Sequence, residues 1–295
     1  MKIYDCTTYF SEDLMLDVRF NILDKHVHKF IVVESLFSHS GNKKKLNFDI
    51  KKFKKFKDKI IYLVIEEEPK NIDLTHGNNI PSHIKRTNSL KRIEQSYDFM
   101  KKGVEDALDD DLIILSDNDE IPNLKSKQLM NSNFNNVIIF EQLFFYYKFN
   151  LLYDQMLWHG SKACKKKFLK SFTWLRNLKN KKYPIWRLDT HFTKTKIKNL
   201  EIIKNGGWHF TNVKTAEDLY IKLKNFGHHN EFEDSGTTLD MLKKQISNNE
   251  LHYNHYTDQK DQNKYLFSHK LKKVKAEILP NYLRDNIEKY KEWFS

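Results

Sequence analysis

The residues best suited to chemistry are the carboxylates of Ser116-Asp117-Asn118-Asp119-Glu120-Ile121-Pro122, which follow the apolar run Leu112-Ile113-Ile114-Leu115 without a break. A short aliphatic run of this kind reads as a strand buried on both faces, and the proline after the acids stops it. On an extended backbone, alternate residues share a side, so Asp117 and Asp119 would face one ligand while Asn118 faces away. Paired hard oxygens suit Mg²⁺ or Mn²⁺ bridging to a substrate diphosphate, where the cation stabilises charge developing on a leaving phosphate. An Asp-x-Asp pair alone is common by chance, and its plain alternative is a strand end capped by solvated acids.

A second candidate is Asn205-Gly206-Gly207-Trp208-His209-Phe210, which uses two of the 8 glycines in the chain. Adjacent glycines allow backbone conformations or close approaches that other residues forbid. His209 would add an imidazole to a site begun by carboxylates, and one nitrogen among oxygens favours Mn²⁺ over Mg²⁺. The plain alternative is a hydrogen-bonded, half-buried histidine. Farther on, within His228-His229-Asn230-Glu231, Glu231 is a candidate general base, set against a loop acid without a role.

Positioning these residues is the task of alternating strands and helices. Phe30–Glu34, Ile60–Ile65 and Leu112–Leu115 read as buried strands. Leu90, Ile93, Tyr97, Met100, Val104 and Leu108, spaced three or four apart, form one apolar helix stripe. This is the rhythm of an open α/β sheet, whose ligands gather at the carboxyl ends of its strands, here Glu34, Glu66 and Asp117 if the strands are parallel neighbours. Val137–Phe140 and Leu143–Phe149 are expected as two further strands, with aromatics that pack the sheet or offer a sugar-stacking platform. Lys43 to Lys59, with Ile50, Phe53 and Phe56, reads as an amphipathic basic helix, solvated or resting on an anionic membrane. The tail carries Leu279, Tyr282, Leu283, Ile287, Tyr290 and Phe294 at helical spacing and is expected to dock as a helical extension.

The totals fit a globular enzyme. The 295 residues are 39% hydrophobic and 14% aromatic, enough for a sizeable core, and neither the 5 prolines nor the glycines mark a linker. No run approaches the roughly 20 apolar residues of a membrane span, and no basic segment with an apolar signal core opens the sequence, so a cytoplasmic location is expected. Two cysteines outside any CxxC pair argue against a disulfide framework or structural zinc. A net charge of +12 attracts polyanions, or it reflects biased composition.

Several collinear segments together carry a resemblance. Glu12-Asp13-Leu14-Met15-Leu16-Asp17-Val18-Arg19, Phe30 to Ser35 with His39-Ser40-Gly41 and Leu46-Asn47-Phe48, Lys59 to Tyr62, Arg86, Ser116 to Pro122, Trp158-His159-Gly160 and Gly206 to Phe210 occur in order, followed by Leu223 to Phe232. Over roughly residues 3 to 235 the chain resembles glycosyltransferase family 17. The resemblance implies a GT-A-type, Rossmann-like mixed sheet flanked by helices over residues 1–240, with 241–295 as the helical extension packed on it. It further implies a nucleotide-sugar donor, expected to be UDP-N-acetylglucosamine, a divalent metal, and inversion at the anomeric carbon. Asp117 and Asp119 would then form the acidic metal and nucleotide motif, with Glu34 near the nucleotide and Trp208-His209 in the family's glycine-tryptophan-histidine motif. That places Trp208 with the donor and, on chemical grounds, His209 on the metal. Arg86 would neutralise the diphosphate, since a guanidinium matches phosphate oxygens bidentately. Inversion needs a base for the acceptor hydroxyl, for which Glu231 and then Asp189 are the candidates.

Animal members of the family carry a membrane anchor and a lumenal domain, which this sequence does not display. The expected acceptor is therefore a saccharide or lipid-linked precursor at a cytosolic membrane face. Two other classes compete: a non-catalytic polyanion- or nucleic-acid-binding protein, suggested by charge and by the aromatic–basic mixing of Phe144 to Lys148, and a metal-dependent nucleotidyl or phosphoryl transferase. Adjacent carboxylates repel phosphate unless a metal intervenes, which favours an enzyme and predicts no nucleic-acid partner.

Overall fold

The computed structural model describes residues 1–75, 80–181, 193, 197, 199–225, 229–255 and 267–295, and the backbone alone for 229–231. Its centre is a parallel half-sheet. Strands β1 (Ile3–Thr8), β2 (Lys29–Ser35), β3 (Ile60–Ile65) and β4 (Leu112–Leu115) lie in the order β4-β1-β2-β3, all parallel. Helix α1 (Asp13–Leu23) joins β1 to β2, and α2 (Ser82–Asp98), running on as a 3₁₀ turn over Phe99–Val104, leads into β4. Alternate strand residues feed two cores: Phe30, Val32 and Ile114 on one face, and Ile31, Val33 and Ile113 on the other. Both faces being covered, these strands carry continuous aliphatic runs.

The chain leaves β1 toward β2 on one side, whereas β4 pairs with β1 on the other. A reversal of this kind splays the connecting loops and opens a crevice at the strand carboxyl ends. Asp117 follows β4 at that point. Glu66, beyond β3 with β1 and β2 lying between it and β4, is exposed and does not join it.

The second half of the sheet is mixed. β5 (Glu120–Pro122) pairs antiparallel with β9 (Leu200–Thr211), β9 runs parallel to β6 (Val137–Tyr146), and β6 is antiparallel to β7 (Leu151–Leu152) and β8 (Lys162–Lys165). β8 closes the ring of contacts by pairing antiparallel with β4. Short helices α3 (Lys127–Met130) and α4 (Phe172–Asn177) flank it, and α5 (Ala216–Asn225), α6 (His229–Asp234) and α7 (Leu239–Ser247) enclose a third core around Phe144, Tyr153, Phe232 and Leu242.

Four expectations change. The central strand β1, Ile-Tyr-Asp-Cys-Thr-Thr, has no aliphatic run and was not predicted. The two strands expected over 137–149 are one, β6, whose register against β9 shifts between Phe140 and Gln142. Lys43–Lys59 is not an amphipathic helix: only Ile50–Lys59 is helical, as a 3₁₀ stretch kinked at Phe53, and Phe53 and Phe56 are buried against Phe20. The aromatic anchors a membrane would take are thus spent on the core. The extension over 241–295 is not simply helical. It holds β10 (Glu250–Leu251) paired with β11 (His269–Lys270), β12 (Lys272–Lys273), α8 (Asn281–Asp285) and 3₁₀ turns. β12 pairs with β7, and Leu283 and Tyr290 lie buried in the first core, so this segment is built into the main sheet.

Candidate active site

The acidic segment does not continue β4 as a strand. After Ser116 the backbone turns, the Glu120 amide donating to the Asp117 carbonyl at 3.0 Å, and β5 begins at Glu120. The alternation expected of an extended chain therefore fails here, and the three carboxylates part.

Asp117 accepts the Tyr97 hydroxyl at 2.5 Å and the Arg176 guanidinium at 3.0 Å, while Arg176 Nε also donates to the Tyr97 oxygen at 3.1 Å. Burial, then the negative charge of Asp117, pushes the Tyr97 hydroxyl far up, so it remains a donor. Arg176 comes from α4, 59 residues after Asp117, and nothing in the sequence pattern linked the two. This guanidinium is 32% exposed and ion-paired with Asp117.

Asp119 turns instead to His209, whose Nε2 lies 3.5 Å from its carboxylate. Burial alone would raise the Asp119 pKa, but the His209 imidazole and the charge of Lys222 hold the carboxyl well below the usual range. His209 packs on Phe144, centroids 4.6 Å apart, and on Trp158, 4.7 Å apart, and these two rings also touch, 5.1 Å apart, so the three form a triangular cluster. Among the described residues the buried Nδ1 of His209 has no hydrogen-bond partner. Position 207 brings β9 close enough to hold His209 there: Gly207 has φ +138°, and a Cβ on it would stand 2.1 Å from the Ile121 carbonyl oxygen.

Glu120 is fully buried, accepting Trp158 Nε1 at 2.6 Å and the Asp117 amide at 3.0 Å. Desolvation, and then the Asp117 charge, raises its pKa. Gly160 makes the space, since a Cβ there would fall 2.1 Å from the Glu120 carboxyl carbon. Beneath the turn, the fully buried Arg19 binds Asp5 through two nitrogens and directs Nη1 to the carbonyls of Glu120 at 2.6 Å and Asp117 at 3.3 Å. Lys162 of β8 lies buried beside Arg176, donating to the Arg176 and Leu178 carbonyls. Desolvation, and then the Arg176 charge, lowers its pKa to about 7.

The remaining sequence candidates fall elsewhere. Glu34 is buried and engaged by Lys44, the Asn47 and Phe48 amides and the Tyr62 hydroxyl, so it anchors the loop after β2. Trp208 lies on the face of β9 opposite His209 and donates Nε1 to the Ile278 carbonyl at 2.7 Å, which places it in the seam with the C-terminal segment. Arg86 sits half-buried on α2. Glu231 is on α6, where only its backbone is described, and Asp189 lies outside the described residues. The expected metal trio is also divided, because both oxygens of Asp117 are engaged by Tyr97 and Arg176 while Asp119 and His209 face each other. Among the described residues no three His, Cys, Asp or Glu side chains form a metal cage.

In open α/β sheets ligands gather at a strand reversal of this kind, and the acidic turn after β4 lies there. The model of glycosyltransferase family 17 matches residues 1–294. The chain belongs to glycosyltransferase family 17. As a family-17 glycosyltransferase it takes a sugar donor and an acceptor. No curated protein matches this family-17 chain. Among solved structures it is similar to the inositol-1-phosphate CTP transferase from T. maritima, at 13% identity over 76% of this chain and 96% of that chain, with a TM-score of 0.32. No helix among the described residues is long and apolar enough to cross a membrane.

Proposed function

We propose that the protein transfers N-acetylglucosamine from UDP-N-acetylglucosamine to a saccharide or lipid-linked hydroxyl, with inversion and with a divalent metal, on a GT-A-type scaffold. The observation that carries this reading is the Asp119–His209 pair, with the imidazole Nε2 held 3.5 Å from the carboxylate just after β4. Hard divalent ions in transferases commonly take one or two protein ligands and complete their shell with substrate phosphates and water, so a pair suffices where a cage is absent. Asp119 and His209 would hold the ion, and the mixed oxygen–nitrogen set favours Mn²⁺ over Mg²⁺. Bound there, the metal supplies Lewis-acid stabilisation of charge on the departing diphosphate.

The other roles fall to the protein. Arg176, whose Nε and Nη2 are held by Tyr97 and Asp117, would meet a phosphate oxygen through the Nη1 side of its guanidinium, and Arg86 is a second candidate on α2. Inversion requires that the acceptor oxygen attack the anomeric carbon as the bond to the diphosphate breaks, its proton passing to a base. Glu231, then Asp189, are the candidates. The decisive assay incubates the protein with nucleotide sugars and Mn²⁺ and reads released nucleoside diphosphate. Asp119→Ala should reduce that release by about 10²-fold or more, the usual effect of removing a group that stabilises charge in the transition state. Undiminished release by the variant would remove Asp119 from the mechanism.

A nucleotidyl or phosphoryl transferase shares the acidic site, and its products distinguish it: pyrophosphate or a phosphorylated acceptor in place of a nucleoside diphosphate.

A further inference from the structure

Positive charge is concentrated on the flank of the sheet that carries α1. Residues 43–59 hold 9 lysines in 17 positions, against 51 lysines and arginines in the 295 residues of the chain, so a uniform compositional bias does not account for them. The only acids in the stretch are Asp49 and Asp58.

Local geometry turns this charge outward. In a 3₁₀ helix residues three apart share a side, and over Ile50–Lys59 the inner side is taken by Phe53 and Phe56, each 3% exposed and packed on Phe20 of α1. Phe48 stacks on Phe53 with centroids 5.5 Å apart, which holds the preceding loop against the helix. Lys51, Lys54 and Lys57, again three apart, are exposed, as is Lys45 in the loop. Their neighbours are engaged: Lys52 pairs with Asp13, Lys55 donates to Asn21, and Lys59 pairs with Asp24, so the acids of α1 on this side are already answered. Among the described residues no ion pair answers Lys45, Lys51, Lys54 or Lys57. Two aliphatic side chains, Leu46 and Ile50, stand among these lysines, each 41% exposed.

That mixture selects the partner. Unpaired like charges repel one another, and an anionic surface that neutralises them is attracted. A nucleic acid would supply the charge, but its binding also uses planar side chains on which bases stack, and here Phe53 and Phe56 are buried and the stretch has no arginine. Exposed aliphatic groups gain instead from burial at the boundary of headgroups and acyl chains. We propose that this flank docks on an anionic lipid surface, with Lys45, Lys51, Lys54 and Lys57 on the headgroups and Leu46 and Ile50 dipping between them. The contact is one of charge and shallow aliphatic insertion, not of aromatic anchoring. The loop over residues 36–47 leaves the carboxyl end of β2, the same end of the sheet at which the acidic turn follows β4, so docking here would hold that turn beside the headgroups. This corollary, access to a lipid-linked acceptor, rests on the transferase reading above; lipid binding itself does not.

The test is co-flotation with vesicles of phosphatidylcholine alone and of phosphatidylcholine mixed with phosphatidylglycerol. The intact protein should float with the anionic vesicles only and be released by salt. Lys51→Glu/Lys54→Glu/Lys57→Glu should weaken that binding by about 10²-fold or more, at about fivefold for each lysine removed. Lys70→Glu/Lys101→Glu/Lys244→Glu makes the same change of net charge at exposed lysines elsewhere and should weaken it by less than about fivefold. Leu46→Ser/Ile50→Ser keeps every charge and should weaken it by about tenfold, and this variant decides the matter if the charge variant fails to fold. Absence of binding to anionic vesicles, equal losses in the two charge variants, a serine variant that binds as the intact protein does, or tighter binding to DNA than to vesicles would overturn the proposal. Nucleoside diphosphate release is read separately: its absence from the intact protein would sink the transferase reading and leave the vesicle result to decide lipid binding.

Discussion

At the scale of single residues, the site depends on buried charges that are each answered by a specific partner. Arg19 and Asp5 are both fully buried, and removing one alone leaves an uncompensated charge. Arg19→Met should therefore cost about 3–5 kcal/mol in urea unfolding. The double variant Arg19→Met/Asp5→Leu should regain most of that stability, yet its donor hydrolysis should stay impaired because the carbonyls of Asp117 and Glu120 lose their donor. Full activity in the double variant would show that the turn holds itself. Lys162 gives a pH signature. Its folded pKa of about 7 lies below the usual 10.5, so between these values the unfolded chain binds the extra proton and stability rises with pH. Below that window both states are protonated and the desolvation penalty is fully felt. Melting temperatures from pH 7 to 10 should climb less steeply in Lys162→Met than in the wild type; parallel curves would contradict the assignment.

At the scale of elements, the site is an encounter of β5, β8 and β9 that small residues make possible. Gly160→Ala would drive a methyl group into Glu120 and Trp158, and overpacking of this kind costs about 1–3 kcal/mol. Since the displaced groups support Asp117 and His209, nucleoside diphosphate release should fall more than the loss of stability alone explains, measured at a temperature where the variant remains folded. Wild-type release would mean that Glu120 is only a packing group. The acidic turn shows where the reading of the sequence failed: Leu112–Leu115 was legible as a strand from its aliphatic run, but Asp117 and Asp119 were expected on one side although Ser116-Asp117-Asn118-Asp119 is itself turn chemistry, its short polar side chains bonding the local backbone.

At the scale of the molecule, the C-terminal segment completes the main sheet and the first core. Tyr290 donates to Asp17 at 2.6 Å across 273 positions of sequence, and the Phe149 amide donates to the Trp293 carbonyl at 2.8 Å, so the C-terminal segment is tied to both halves of the chain. Trp208 belongs to this seam. Trp208→Phe should lower stability by about 1 kcal/mol, the net worth of its hydrogen bond to Ile278, and leave the KM for donor unchanged. A raised donor KM in that variant would return Trp208 to the donor site.

The sequence alone determined the aliphatic strands, the α/β alternation, the acidic strand end and the glycine-tryptophan-histidine segment, because burial, periodicity and backbone freedom act over a few neighbouring residues. Tertiary structure decided what those residues meet. Strand β1 is central although Asp5 and the threonines hide it, because Asp5 is neutralised by Arg19 from the next helix. Glu34 became a loop anchor because the loop after β2 supplies its donors, and Asp117 was taken by Tyr97 and Arg176. Partners of a buried charge come from wherever the chain folds back, and no local pattern records that return.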